Sequence, residues 1–206
     1  IQISQASNIY IAGSLFVSGN TVMDIVETTG DVIINGSWIV QISGGDMGVI
    51  DDIYGGAWTI LGDFIIADTT ALPSQWWFGD NAFVTTFHIY GDWNITKSGA
   101  GFAFNVRYVD MTVEGDVNIA DVPVILFYYG SLDVYGNMNI ISTGVITQLN
   151  GFDYWLNVSG DFLIDTNAEY YADNGLIKIG GNWTSSLGLW DEGTSIVNMS
   201  GSGKTI

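Results

Sequence analysis

The sequence predicts an all-β fold, a parallel β-helix (β-solenoid) of about eight coils, forming a single domain over residues 1–206 with almost no α-helix. Three observations carry this expectation: a glycine-centred frame that recurs eight times, a two-residue apolar alternation inside each frame, and a composition poor in helix formers. The glycines are Gly13, Gly36, Gly62, Gly91, Gly115, Gly136, Gly160 and Gly181. Their frames read IYIAGSLFV, VIINGSWIV, WTILGDFII, FHIYGDWNI, MTVEGDVNI, LDVYGNMNI, LNVSGDFLI and IKIGGNWTS. Each is apolar at −4, −2 and +2 from its glycine, nearly always at +4, and small and polar at +1. The spacings of 23, 26, 29, 24, 21, 24 and 21 residues average 24. At that period each repeat buries its apolar face only by stacking on its neighbours.

A period of two puts even offsets on one face and odd offsets on the other. The first frame turns Ile9, Ile11, Leu15 and Val17 inward; the second, Val32, Ile34, Trp38 and Val40. Trp58, Ile60, Phe64 and Ile66 follow in the third, and Phe87, Ile89, Trp93 and Ile95 in the fourth. The remaining frames repeat the pattern, and Val197 and Met199 are inward candidates beyond the last of them. Four such side chains per coil make one continuous core. A glycine in mid-strand marks a bend or a close backbone approach, and a following Ser, Asp or Asn tolerates turn geometry. Each frame therefore reads as two short strands meeting at a corner. At about 4.8 Å per coil, eight coils make a rod roughly 38 Å long. Pro73 and Pro123 both fall between frames, and the abundance of Ile, Val, Thr and aromatic residues suits sheet.

Charge narrows the partners. With 22 acidic residues against four basic ones (Lys97, Arg107, Lys178, Lys204), the formal charge is −18. Phosphate affinity needs clustered Lys and Arg, so nucleic acid binding is excluded and adhesion to anionic membranes is disfavoured. There is no cysteine, hence no disulfide or thiol chemistry. No apolar run is long enough for membrane insertion as a helix; the densest, Val122 to Tyr129, is too short. The chain begins at Ile1 without an initiator methionine or a basic-then-apolar leader, which reads as a processed form or a segment of something larger.

Five N-x-S/T sequons, at Asn35, Asn94, Asn157, Asn182 and Asn198, fall on outward positions where a glycan could attach. The sign favours an extracellular protein. The last third, LIKIGGNWTSSLGLWDEGTSIVNMSGSGKTI, resembles a recurrent module of archaeal and bacterial cell-surface proteins. In that module a G-N-W-T segment precedes a G-T-x-x-V strand and a closing G-S-G-x-x-I, which leads into a strand similar to NIYIAGSL of this chain. The similarity is clearest over Gly181 to Ile206 and Asn8 to Val17. It implies secretion, a right-handed solenoid, and a role in surface layers, sheaths, filaments or adhesion.

Self-association is the expected partner chemistry. Lys204, Thr205 and Ile206 of one copy followed by Ile1, Gln2 and Ile3 of another would make one strand run, and neither end carries a polar or helical cap. In the first three frames the outward positions are apolar, with Tyr10, Phe16, Ile33, Ile39, Leu61 and Ile65. One sheet face near the N-terminus is thus expected to be covered, by this chain's own loops or by a neighbouring subunit. Farther on, Asn94, Asn118 and Asn139 share the +3 position and would form an amide ladder.

Catalytic residues are not expected. The +1 column runs Ser14, Ser37, Asp63, Asp92, Asp116, Asn137, Asp161, Asn182. Its consecutive aspartates Asp63, Asp92 and Asp116 would repel unless a cation such as Ca2+ or solvent intervened, a weak metal candidate. Asp51, Asp52, Asp153, Asp191 and Glu192 could each serve glycoside hydrolysis, but eligibility means little in so acidic a chain. A lyase would want more basic groups than Arg107, His88 and three lysines. GSGKT at Gly201 to Thr205 lacks the first glycine of a phosphate-binding loop, and His88 has no second His or Cys beside it. Aromatic clusters at Trp76-Trp77-Phe78, Tyr128-Tyr129, Tyr154-Trp155 and Tyr170-Tyr171 could stack on sugars or pack between subunits. The expected function is a non-catalytic extracellular structural protein that self-assembles through stacked strands into a filament, sheath or surface layer. An adhesin or carbohydrate-binding repeat of a larger surface protein is the alternative, with a polysaccharide-degrading enzyme third.

Overall fold

The computed structural model describes residues 8–19, 30–42, 56–68, 74–78, 85–97, 102–106, 108–122, 125–127, 129–148 and 154–200. Within them the chain is all strand, turn and bend, with no helix. The glycine corners divide it as expected. In the first two coils each corner separates a strand pair, β1 (Ile9–Ile11) and β2 (Leu15–Gly19), then β3 (Val32–Ile34) and β4 (Trp38–Ile42). From the third coil a further strand follows each pair: β5 (Ala57–Ile60), β6 (Phe64–Asp68) and β7 (Ser74–Phe78), then β8 (Thr85–Ile89), β9 (Trp93–Lys97) and β10 (Phe102–Val106). The next two coils hold β11 (Val109–Val113), β12 (Val117–Ala120), β13 (Ile125–Phe127), β14 (Gly130–Val134), β15 (Met138–Ile141) and β16 (Val145–Gln148). The last contain β17 (Trp155–Val158), β18 (Phe162–Ile164), β19 (Glu169–Ala172), β20 (Leu176–Ile179), β21 (Trp183–Ser185), β22 (Leu189–Asp191) and β23 (Ile196–Met199).

These strands stack in parallel into three sheets of nine, eight and six members. The first collects the strands before each glycine and ends on β23; the second, those after it; the third runs from β7 to β22. Every pairing is in register, glycine over glycine: Trp58 lies beside Phe87, Phe87 beside Met111, and Met111 beside Leu132. The expected count of about eight coils needs correcting, because the three faces differ. From β7 to β22 the chain makes five full turns with a strand on each face, while the first sheet adds a ninth rung that the eight-frame pattern does not include. That rung escaped the pattern because Gly203 stands where an apolar +2 residue belongs, although Val197 and Met199 continue the inward columns above Ile177 and Ile179.

Even-offset residues fill the interior. Ile34, Trp38, Ile60, Phe64, Ile89, Trp93, Val113, Val117, Val158 and Phe162 are fully buried, and each such side chain contributes about 1.5–3 kcal/mol. The early coils carry stacked rings: Trp38 lies 5.1 Å from Trp58 and 4.7 Å from Phe64, and Trp58 lies 5.3 Å from Phe87. At the other end Tyr170 of the third sheet stacks on Trp190 at 4.9 Å. Burial pushes the hydroxyls of Tyr154 and Tyr170 well above the usual tyrosine range, because the phenolate would lose its hydration.

Candidate functional site: the corner ladder and the outward faces

The corner explains why the frame has its two fixed residues. From the third rung onward the glycine N–H donates to the glycine carbonyl of the rung before, as from Gly91 to Gly62 and from Gly115 to Gly91, both 3.1 Å. Two residues later the direction reverses: Phe64 N–H donates forward to Asp92 O, and Trp93 N–H to Asp116 O, at 2.8 and 2.9 Å. The +1 carbonyl therefore faces backward, which leaves the next rung's +1 N–H facing a column with no free backbone acceptor. A buried donor without a partner is costly, so a side chain must supply the oxygen.

The +1 side chains do this without interruption. Ser37 N–H donates to Ser14 Oγ (3.1 Å), Asp63 N–H to Ser37 Oγ (3.0 Å), Asp92 N–H to Asp63 Oδ1 (2.9 Å) and Asp116 N–H to Asp92 Oδ1 (2.8 Å). Asn137, Asp161 and Asn182 continue it at 2.7, 2.8 and 2.6 Å. Short side chains with an acceptor oxygen are what this position demands. The expected repulsion among Asp63, Asp92 and Asp116 is answered by peptide N–H groups, each carboxylate accepting from the rung that follows it. Among the described residues no group of three acidic or imidazole side chains is placed to hold a metal ion.

The same oxygen dictates the glycine. A Cβ on Gly62 would stand 2.5 Å from Ser37 Oγ and 2.8 Å from Ser37 N, and a Cβ on Gly115 would stand 2.7 Å from Gly91 O. The requirement is for space, since the side chain of one rung lies over the glycine of the next. Gly13 is the exception, with nothing within 4 Å among the described residues.

The outward columns separate the remaining candidates. Asn118 Nδ2 donates to Asn94 Oδ1 (2.9 Å) and Asn139 Nδ2 to Asn118 Oδ1 (2.8 Å), the amide ladder expected from the +3 position. Of the sequon asparagines, Asn35, Asn182 and Asn198 are exposed, while Asn94 and Asn157 are half-buried and hydrogen-bonded. Phe16 and Tyr10 are more than half exposed, and Ile33 and Leu61 are exposed as well; Ile39 and Ile65 are half-buried. His88 pairs with Glu114 Oε1 at 2.9 Å and stacks on Tyr90 at 4.2 Å. Asp191 closes a local turn by accepting from Gly193 N–H, and neighbouring Glu192 is exposed. In two aromatic pairs the structure assigns opposite fates: Tyr154 and Tyr170 are buried, whereas Trp155 is exposed and Tyr171 half-exposed. Ile1, Ile3, Asp51, Asp52, Arg107, Asp153, Lys204, Thr205 and Ile206 lie outside the described residues, as do the side chains of Trp76, Trp77 and Phe78. Among the described residues no helix is long and apolar enough to cross a membrane.

Comparison of the chain with protein families, with curated proteins and with solved structures returns no match.

Proposed function

We propose that this is a non-catalytic structural protein of the cell exterior, whose solenoids pile end to end through their strands into a filament, sheath or surface layer. The observation that carries this reading is the empty corner of the first rung. At the other seven frame glycines an oxygen from the preceding rung fills the space a Cβ would take, and at Gly13 no described residue does. No described strand lies beyond β1. A second copy docking there by its last rung would set a +1 oxygen over Gly13 and repeat between chains the bonds made within one.

A lateral contact fits the same reading. Phe16, Ile33, Ile39 and Ile65 form a partly exposed apolar patch around the first corners, where a neighbouring rod would shield them. The charge of −18 opposes unspecific clumping, and exposed sequons at Asn35, Asn182 and Asn198 suit an extracellular, glycosylated surface. The resemblance of Gly181 to Ile206 to cell-surface modules points the same way.

Negative-stain microscopy of the wild type and of Gly13→Val tests the reading. Because no described residue lies within 4 Å of a Cβ at Gly13, the valine should leave the unfolding midpoint unchanged while blocking end-to-end addition. Long regular polymers from the wild type and short rods from the variant are expected. Isolated rods from the wild type, or equally long polymers from both, refute the proposal.

A further inference from the structure

We propose that the outward face of the first sheet around Trp155 is a carbohydrate-binding site, taking a neutral polysaccharide or oligosaccharide with one sugar ring laid on the indole. The site is independent of end-to-end stacking. Trp155 opens β17 and faces out, 54% exposed. Its column holds Asp110 and Ser131 on one side and Leu176 on the other, each in register with its neighbour. A large ring exposed in a column that otherwise passes through Asp and Ser adds nothing to the core and presents an indole face to solvent beside polar groups.

The surroundings select the occupant. Gly130 and Ser131 are small and leave a shallow, largely open depression beside the ring, bordered by Asp110. Ser131 Oγ donates to Asp110 Oδ1 at 2.9 Å, which keeps the carboxylate turned to the groove's edge. On the far side a second groove of about 200 Å³ is lined by Asp133, Asn157, Leu176 and Lys178. There Asn157 Nδ2 donates to Asp133 Oδ1 (3.2 Å), and Lys178 Nζ lies 5.3 Å from the Trp155 ring centre, holding the ring by a cation–π contact. An exposed indole is thus flanked by both donors and acceptors.

One sugar ring packs its C–H face on the indole side away from Lys178 and donates a hydroxyl to Asp110, while the next sugar of the same polymer reaches Asp133 and Lys178 in the second groove. A lipid or an aromatic peptide would strip water from those carboxylates without offering them a donor in its place. Acidic polysaccharides would meet two aspartates within a chain of charge −18.

Calorimetric titration and affinity electrophoresis with neutral polysaccharides (a glucan, a galactan, a mannan), with a polyuronate as control, test the site. At least one neutral polymer should bind the wild type, with roughly tenfold or greater weakening in Trp155→Ala. Trp155→Phe should retain part of the affinity, Asp133→Ala should lose part of it, and all three should unfold at the wild-type midpoint. Equal binding by Trp155→Ala, no neutral ligand among those tested, preference for the polyuronate, or a Trp155→Ala phenotype confined to polymer formation would each overturn the proposal.

Discussion

Along the second sheet the outward +3 column changes character between the first three rungs and the next three: Phe16, Ile39 and Ile65 are followed in register by Asn94, Asn118 and Asn139. The interiors differ as well. Trp38, Trp58 and Phe64 stack in the early coils, where Val113, Val117, Val134 and Met138 fill the later ones. Yet the corner has the same plan in both regions, glycine bonded to glycine and a +1 side-chain oxygen as acceptor, a serine hydroxyl early and a carboxylate later. The comparison teaches that backbone bookkeeping dictates two positions of each frame, while the other columns need only match their neighbours above and below. Within that freedom an amide ladder and an apolar strip are alternative solutions. An amide column satisfies its own polar groups, and an apolar one needs cover.

The sharpest way to break this view is at the glycines. Gly36→Val and Gly115→Val should each cost about 4 kcal/mol or more, in both regions alike, since backbone atoms and the acceptor oxygen occupy the space. Urea denaturation reads the effect, and a marked difference between the two would show that the corner is not shared. Next in size is a pH effect confined to the later coils. Tyr154 and Tyr170 are buried with hydroxyls raised above their ordinary 10.0, so the folded chain keeps protons that the unfolded chain releases. The stabilisation is whole below pH 10 and declines as pH rises from there toward the folded values, by roughly 1 kcal/mol per tyrosine for each pH unit. Urea midpoints at increasing alkalinity should fall in the wild type and flatten in the Tyr154→Phe, Tyr170→Phe double variant.

The acceptors come third. Ser37→Ala in the first region and Asp92→Ala in the second each strand a peptide N–H, that of Asp63 or Asp116, at about 1–3 kcal/mol. Asp92→Asn keeps an oxygen in place and should restore most of the loss; failure to do so would mean the charge itself matters. The smallest effect sharpens the contrast between columns. Asn118→Ala leaves Asn94 Oδ1 and Asn139 Nδ2 without each other's bridge, for about 1 kcal/mol, whereas Ile39→Ala, on a half-buried outward position, should cost less. Thermal unfolding compares the two directly.

Legibility followed the same division. The corner frames, the inward columns and the Asn94–Asn118–Asn139 ladder could be read from spacing because each depends on a residue's own offset from a glycine. The third sheet could not: Ser74–Phe78, Ile125–Phe127 and Glu169–Ala172 have no glycine marker. Trp155 stood out in the sequence only as half of the Tyr154-Trp155 pair; its column with Asp110 and Ser131 was hidden for a related reason, since all three sit at −5, one step outside the nine-residue frame. Nor does the sequence announce that Asp121, Ser142 and Leu187 take up left-handed backbone, with φ of 58°, 58° and 62°. Leucine rarely adopts that conformation.

What the sequence by itself determined is the solenoid: glycine, a small acceptor and alternating apolar residues at a near-constant period leave stacking as the way to bury one face and pair the backbone. Only the tertiary structure decided which oxygen meets which N–H and which outward side chains become neighbours. Those relations join residues 21 to 29 positions apart, and varying coil lengths conceal them until parallel register brings the columns into line.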